Sequence, residues 1–303
     1  MRVTNQSMIR NSQLRLQQNL QGMERAREDI ASGLRLRKMS DDPIAANEVV
    51  RTTSSMRALA QFQRNADIAS ARASVEEAAL DQLTGALSRA GELAVGQASA
   101  TGNAQTRLIA KAEVDQLIAY AVNIGNTKFG DDYVFGGTRS SEAPFRRPPS
   151  ATDGFSALVD SANAPVNPSG SLAIEINDGE FVTPNHNGTQ VFLDSDALES
   201  LRALSTALGN NDVAGITTSM DRLNASVSTV QSLIGTQGAR INQVENTQRT
   251  LESLSLSLVA YRSDLRDTEV DKAMVELVGK QTLYQAAMSA TSRILGMSLA
   301  NYL

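Results

Sequence analysis

Residues 9–34 read IRNSQLRLQQNLQGMERAREDIASGL, and this stretch decides the kind of fold that the chain can adopt. Eight positions in it recur at alternating steps of three and four residues. Six of them are apolar, namely Ile9, Leu16, Leu20, Met23, Ile30 and Leu34, and the other two are Gln13 and Arg27. In a helix this spacing places them in one narrow row, as in a coiled coil. A single helix with so narrow an apolar row is only marginally stable in water. The stretch therefore predicts a helix that needs a partner.

A second row with the same spacing lies at the other end of the chain. Its members are Val270, Met274, Leu277, Tyr284, Met288, Leu295 and Leu299. The two rows could complete each other inside one molecule as an antiparallel coiled coil. They could also be completed between copies, in which case the two ends become ordered on assembly. Both arrangements stay open, and they leave flanking residues such as Met8, Leu14, Leu283 and Ile294 free to contact neighbours.

Between the two rows, proline-free stretches with helical spacing predict a rod of helices. The first of these helices is expected to begin after Ser40-Asp41-Asp42-Pro43. The side chain of Asp42 can accept hydrogen bonds from the free N–H groups of the first turn, and Pro43 fits the first helical position. The apolar row of this helix runs from Phe62 to Ala94 and is rich in alanine, which allows a second helix to approach closely. Further helices are expected through residues 114–124, 198–208 and 227–265.

The middle of the chain has its own composition. Six of the seven prolines lie between Pro144 and Pro184, and eight of the twelve aromatic residues lie between Tyr120 and Phe192. Proline disfavours helix interiors, so we expect a separate small module here. Residues 172–176 alternate and residues 180–183 can return beside them, which predicts a β-hairpin. The predicted fold is therefore mainly α: a long antiparallel rod or coiled coil of N- and C-terminal segments, with a small β-rich module inserted between them.

Composition and charge exclude several classes of protein. The chain has no cysteine, which excludes disulfides, thiolate metal sites and a cysteine nucleophile. Its 28 basic and 33 acidic residues give a net charge of −5, which argues against a dedicated nucleic-acid binder. No apolar run is long enough for a membrane span or a secretory signal. If the protein leaves the cytoplasm, we expect it to use another route.

The N-terminal segment differs from the rest of the chain in charge. Residues 2–38 carry eight basic and three acidic residues, a net charge of +5. Binding of this segment to a membrane or to nucleic acid is therefore one functional alternative. Arginines at this spacing more often form the solvated face of a coiled coil, which is the interpretation that we favour.

No set of residues in the sequence has the pattern of an active site, a cofactor site or a metal site. His186 is the only histidine, and the turn-forming residues around it predict a solvated side chain. The pairs Asp41-Asp42 and Asp131-Asp132 lack the spacing of a calcium loop and are interpreted as structural. Residues 135–138 lack the full pattern of a phosphate-binding loop. We therefore expect no enzyme activity.

Several short motifs, by their order and their distance from the two ends, resemble the flagellin superfamily. They are Met1-Arg2-Val3-Thr4, Ser40-Asp41-Asp42-Pro43, Tyr133-Val134-Phe135-Gly136-Gly137-Thr138 with Ala143-Pro144-Phe145, and Gln285-Ala286-Ala287 with Ser298-Leu299-Ala300-Asn301-Tyr302-Leu303. Within the superfamily, the chain is similar to the proteins that join the flagellar hook to the filament. The resemblance covers both arms and leaves a variable middle. One departure is Glu269, where relatives more often carry Asp, so the charge is kept.

The resemblance implies a structural adaptor of the bacterial flagellum that assembles through paired terminal helices. The implied partners are copies of itself in a ring or layer, hook-associated protein 1, flagellin, and an export chaperone that binds the C-terminal helix; nucleic acid and membranes are not among them. The implied location is extracellular, at the hook–filament junction, after type III export without a cleaved signal peptide. The implied layers are residues 1–42 with 265–303 inside, the helical rod of residues 43–128 with 196–264, and the outer module of residues 129–195.

A short flagellin, the subunit of the filament itself, has the same architecture and stays open as the alternative. The Arg2-Val3-Thr4 opening and the motifs within residues 135–145 favour the adaptor. The two functions differ in self-assembly, because a flagellin propagates into long filaments from purified monomer and an adaptor does not.

Overall fold

The computed structural model of the chain describes residues 5–99, 102–145 and 169–300. Long helices dominate these residues, as the sequence predicts. The helices are α1 (Asn5–Ser32), α2 (Pro43–Gln97), α3 (Ala104–Gly125), α4 (Ala197–Gly209), α5 (Val213–Arg266) and α6 (Val270–Ala300). The mainly α fold with small antiparallel sheets is therefore confirmed.

The chain divides into two compact units. The first consists of Met1–Ala58 and Leu254–Leu303, and the second consists of Leu59–Ser253. Both boundaries fall inside helices, since α2 and α5 each contribute residues to both units. The division into residues 1–42 with 265–303, 43–128 with 196–264, and 129–195 concerns the layers of an assembly, and it stays a prediction.

The second unit has a large apolar core and a smaller apolar cluster between its helices. The fully buried side chains of α2 include Leu80, Leu83 and Leu87, and those of α4 include Leu201 and Leu204. The alanines of the α2 row that we predicted, from Ala66 to Ala94, are buried as well. Alanine lets helices approach closely, so the row forms a thin helical core with few aromatic side chains.

Two short antiparallel hairpins lie between α3 and α4 in the chain. The first pairs β1 (Lys128–Phe129) with β2 (Asp132–Tyr133), and the second pairs β3 (Ile174–Asn177) with β4 (Glu180–Val182). The second hairpin confirms the one predicted for residues 172–183. It turns at Asp178-Gly179, where Gly179 adopts a φ of 71° that a residue with a side chain rarely accepts.

The described part of the insert shares the core of the second unit. Phe192 contacts Phe135 and Phe145 edge to face, with ring centroids 5.2 and 4.8 Å apart. All three rings are buried in the same cluster as the leucines of α2 and α4. These aromatic rings therefore complete the core of the helices, and the grouping of residues 129–195 as a module of its own stays a prediction. The prolines at 148, 149, 165 and 168 lie outside the described residues.

Two features are missing from the part of the chain that the structure describes: a membrane-spanning helix and a metal-binding cluster. None of its helices combines the length and the apolar character that crossing a bilayer requires. Nor does it contain a cluster of three or more His, Asp or Glu side chains suited to a metal ion.

Candidate functional site: the paired terminal helices

Helices α1 and α6 pack side by side and antiparallel within the first unit. Their connection to the rest of the chain is fixed by a β-bridge between Leu34 and Asp267. Around this bridge, the amides of Arg35 and Thr268 donate hydrogen bonds of 2.9 Å to Arg266 O and Gly33 O. About three turns back along α1, the Nζ of Lys280 reaches Gly22 O at 3.4 Å. The two ends of the chain are therefore paired inside one molecule.

The pattern of burial shows which residues lie between the two helices. Covered positions of α6 recur at steps of four and three residues; they are Ala273, Leu277, Lys280, Tyr284, Ala287 and Thr291. Covered positions of α1 recur in the same way; they are Ser12, Leu16, Asn19, Met23, Ala26 and Ile30. The spacing is that of a coiled coil, as predicted, but small and polar residues make up much of it.

Only part of the predicted C-terminal row lies in this contact. Leu277 and Tyr284 belong to it, whereas Val270, Met274 and Met288 are 48%, 52% and 50% exposed. The exposed three lie at the margin of the contact row, where Ala273 and Ala287 take the contact positions. The sequence analysis followed the large apolar residues of this helix and did not consider its alanines. The small residues Ala273 and Ala287 were the signal that could have located the contact.

The N-terminal row divides in the same way. Leu16, Met23 and Ile30 lie in the contact with α6, and Leu34 is half-buried at the bridge. Leu20 remains exposed. The side chains of Ile9, Leu295 and Leu299 lie outside the described residues, so their place in either row stays a prediction.

Large apolar side chains remain on the surface of the first unit. They are Leu14, Leu20, Met39, Ile44, Val50, Leu254, Leu256, Val259, Tyr261, Val270, Met274, Val275, Val278, Leu283 and Met288. The buried apolar side chains of the described part of this unit are Leu36 and a few alanines. A surface with so many apolar side chains and so little core is typical of a region that is completed by association.

The junction between α1 and α2 is held by two aspartates. Asp42 Oδ1 accepts hydrogen bonds from the amides of Ile44 (3.1 Å) and Ala45 (3.0 Å), so it caps α2 directly before Pro43. Asp41 Oδ2 accepts from the amides of Lys38 (2.9 Å) and Arg37 (3.3 Å) and closes the preceding turn. Ser40 is exposed in this turn. The four residues therefore act as a structural junction and perform no acid–base chemistry in this geometry.

The charges of the junction stabilise one another. Arg37 pairs with Glu28 and, at 3.1 Å, with Asp29, both on α1. The hydrogen bond to Glu28 raises the pKa of Arg37. The hydrogen bond from the amide of Lys38 lowers the pKa of Asp41 below its ordinary value. Glu28 is largely exposed, and Arg37 and Asp29 are partly covered, so solvent screens these ion pairs and they orient the turn more than they stabilise it.

His186 is buried, which corrects the prediction of a solvated side chain. Its Nδ1 lies 2.9 Å from Glu76 Oε1, and its amide donates to the same oxygen at 2.9 Å. Both side chains are almost completely inaccessible. Asp132 binds Ser140 and lies 3.8 Å from Arg72, so this aspartate is structural as predicted. The turn sequence around His186 predicted a loop correctly, but burial depends on contacts with α2 that lie 110 residues away.

Comparison with known families agrees with this architecture. The model of the bacterial flagellin N-terminal helical region matches residues 3–140, and that of the bacterial flagellin C-terminal helical region matches residues 217–303. The chain belongs to the flagellin superfamily. The resemblance inferred from the short motifs is therefore confirmed.

The individual proteins that match this chain do so over most of its length. The flagellar hook-associated protein 3 of Escherichia coli strain K12 is 24% identical over 95% of this chain and 98% of its own length. A flagellin of Halalkalibacterium halodurans is 26% identical over 89% of this chain and 87% of its own. The crystal structure of flagellar hook-associated protein 3 from Legionella pneumophila shares the fold, with a TM-score of 0.61, 12% identity, and coverage of 72% of this chain and 98% of that one.

Proposed function

We propose that the protein is the adaptor that joins hook-associated protein 1, at the flagellar hook, to the flagellin filament. It belongs to a family of structural flagellar proteins, and its relatives named flagellar hook-associated protein 3 match it over almost their full length. In this role the paired α1 and α6 form the surface through which each copy contacts its neighbours. The protein works by binding, and no step of its function involves chemical turnover.

The observation that carries this proposal is the uncovered apolar surface of the first unit. Val275 and Val278 on α6, and Leu14 on α1, are exposed although they lie on helices that already have a partner. Pairing within the molecule therefore leaves apolar surface that only other subunits can cover. Removing such surface from water is favourable by about 25 cal/mol for each Å² buried, and this free energy drives association.

The partners and the location follow from the same role. We propose that copies of the chain form a ring or layer, with hook-associated protein 1 on one side and flagellin on the other. Before assembly the exposed residues of α6 favour aggregation, which makes this helix the expected binding site of an export chaperone. We propose that the protein acts outside the cell after export through the flagellar apparatus.

A short flagellin is the second candidate. The match to the Halalkalibacterium halodurans flagellin, at an identity similar to that of the hook-associated relatives, is the observation that favours it. In this case the same terminal helices would bind identical subunits without limit and form a filament.

Self-assembly of purified monomer separates the two candidates. We expect electron microscopy to show no long filaments, whether the monomer is incubated alone or seeded with filament fragments. The monomer should instead bind to the ends of isolated hooks that carry hook-associated protein 1. Long homopolymers would contradict the adaptor and favour the flagellin. Failure to bind either hook or filament ends would contradict both candidates.

Truncation tests the role of the terminal helices. Deletion of residues 1–40 or of residues 268–303 is expected to abolish joining of hook to filament, because each segment supplies one half of the paired surface. The helical content and cooperative melting of the second unit should persist, which circular dichroism measures. A truncated chain that still joins hook to filament would contradict the assigned surface.

A further inference from the structure

A polar node is buried in the second unit, where the insert meets α2 and α5. We define the node as Arg72 and Glu76 of α2, Asn185 and His186 of the insert, and Gln237 of α5. All five are at most 4% exposed. Gln237 Nε2 donates to Pro184 O at 2.6 Å, and His186 donates to Glu76, so the node ties the insert to both helices. This node lies in the second unit and is independent of the proposed assembly surface.

Three side-chain atoms of the node have no hydrogen-bond partner among the described residues. They are Arg72 Nε, Glu76 Oε2 and Asn185 Oδ1. A buried polar atom without a partner costs about 1–3 kcal/mol, and more when the group is charged. Three such atoms in one cluster are therefore unexpected in a well-folded region unless a further molecule pairs them.

The side chains that carry these atoms are connected through shared or consecutive partners. Arg72 Nη2 binds Tyr133 O at 3.4 Å, and Asn185 Nδ2 binds the next carbonyl, Val134 O, at 2.5 Å. Glu76 lies one helical turn from Arg72 and binds His186, the residue after Asn185. The amide orientation of Asn185 is set by its donor, which also reaches His186 O, so Oδ1 is the free acceptor.

Arg72 and Glu76 are close enough to influence each other but make no direct ion pair among the described residues. Burial lowers the pKa of Arg72, and the nearby charges of Asp132 and Glu76 oppose this effect. Arg72 Nη1 instead lies 3.8 Å from Asp132 Oδ2.

We propose that the node binds one ordered water molecule. The water oxygen accepts the N–H of Arg72 Nε, and its two hydrogens are donated to Glu76 Oε2 and Asn185 Oδ1. Three hydrogen bonds to otherwise unpaired polar groups are what buried waters in proteins typically make. A metal cation fits less well, because the Arg72 N–H directed at the site would oppose it.

A high-resolution crystal structure of the full chain tests the site. We expect a single density peak about 2.7–3.2 Å from Arg72 Nε, Glu76 Oε2 and Asn185 Oδ1, the range of ordinary hydrogen bonds. Direct pairing of Arg72 Nε with Glu76 and no peak would overturn the proposal. A peak with several oxygen ligands at about 2.3–2.6 Å would also overturn it, because that geometry belongs to a bound cation.

Water relaxation dispersion gives a second test in solution. Replacing Asn185→Leu removes one of the three bonds, and we expect the residence time of a long-lived water to fall about tenfold, as for the loss of one hydrogen bond. The matched control is Asn187→Leu, since Asn187 binds Gly170 and Gln190 outside the node. Equal residence times in the wild type and in both variants would overturn the proposal. If Asn185→Leu does not fold, the crystallographic test decides alone.

Discussion

The two compact units use the same helices, since α2 and α5 run through both, yet they bury their apolar residues very differently. In the second unit Leu80, Leu83 and Leu87 of α2 are completely buried. In the first unit the same helix leaves Ile44 85% exposed and Val50 half-exposed. The two units differ in the number of neighbours, because α3, α4 and the insert contribute to the core of the second unit.

One chain can therefore contain both a stable fold and a surface for assembly. A core to which several helices and strands contribute side chains is stable by itself, whereas a pair of helices with a narrow contact is only marginally stable in water. The first unit is therefore expected to depend on neighbouring subunits for much of its stability. The following variants test that difference, beginning with the largest expected effect on stability.

Phe192→Ala is expected to destabilise the second unit by about 3–5 kcal/mol, because it opens a cavity between Phe135 and Phe145. Urea unfolding of the purified chain measures this loss. The matched control is Phe181→Ala, which removes a ring that is 60% exposed and should change stability by no more than about 0.5 kcal/mol. Equal effects of the two variants would contradict the assigned core.

Arg107→Ala is expected to cost about 1.5–3 kcal/mol, the range for hydrogen bonds to charged groups. Buried Arg107 donates to Gln97 O (3.2 Å), Ser99 O (2.9 Å) and Asn211 Oδ1 (2.5 Å), and so ties together two turns of the second unit. Thermal melting measures the loss. Arg64→Ala, at an exposed position of α2, is the control and should melt close to the wild type.

Asp42→Ala is expected to cost about 1 kcal/mol, because the amides of Ile44 and Ala45 lose their acceptor. Asp42→Asn should restore most of the stability, since asparagine caps helices equally well. Equilibrium unfolding of the three proteins provides the measurement. An alanine variant as stable as the wild type would mean that α2 does not depend on this cap.

The double variant Val275→Ser and Val278→Ser is expected to change monomer stability by no more than about 0.5 kcal/mol, because both side chains are largely exposed. Its effect should instead appear as weaker joining of hook to filament, measured by electron microscopy of mixed components. Thr282→Ser, an exposed position on the same helix, serves as the control. If the double variant joins hook to filament normally, Val275 and Val278 do not belong to the assembly surface.

The smallest expected effect concerns pH and the turn before α2. Because its pKa is lowered in the folded chain, Asp41 contributes stability above its ordinary value of about 3.9, and this contribution is lost as the pH falls through the lower folded value. Carboxyl chemical shifts in an NMR titration measure the pKa. Asp41→Asn should remove this part of the pH dependence and leave the remainder unchanged.

Much of the fold could be predicted from local patterns. The alanine row of α2, the start of that helix at Pro43 and the hairpin at residues 174–182 all follow from spacing, capping and turn chemistry over a few residues. The position of His186 could not be predicted in this way. A turn sequence indicates a loop, but only the approach of Glu76 decides that the loop is buried.

Sequence patterns were equally insufficient for the contact between α1 and α6. Regular spacing predicted that both ends are helices with apolar rows, and the pairing of α1 with α6 is present in the structure. Spacing could not show that Ala273 and Ala287 occupy the contact while Met274 and Met288 remain outside it. Adjacent rows of a helix have the same period, and which of them meets a partner depends on how closely the backbones approach.

By itself, the sequence determined the helical arms, their order and the capped junction, because each depends on residues that are neighbours in the chain. Its composition determined the absence of cysteine chemistry. The tertiary structure alone decided that the aromatic rings of the insert complete the core of the helices, that His186 and Glu76 meet in a buried node, and which apolar side chains of α1 and α6 stay uncovered. These outcomes depend on contacts between residues far apart in sequence, and burial is a property of such contacts.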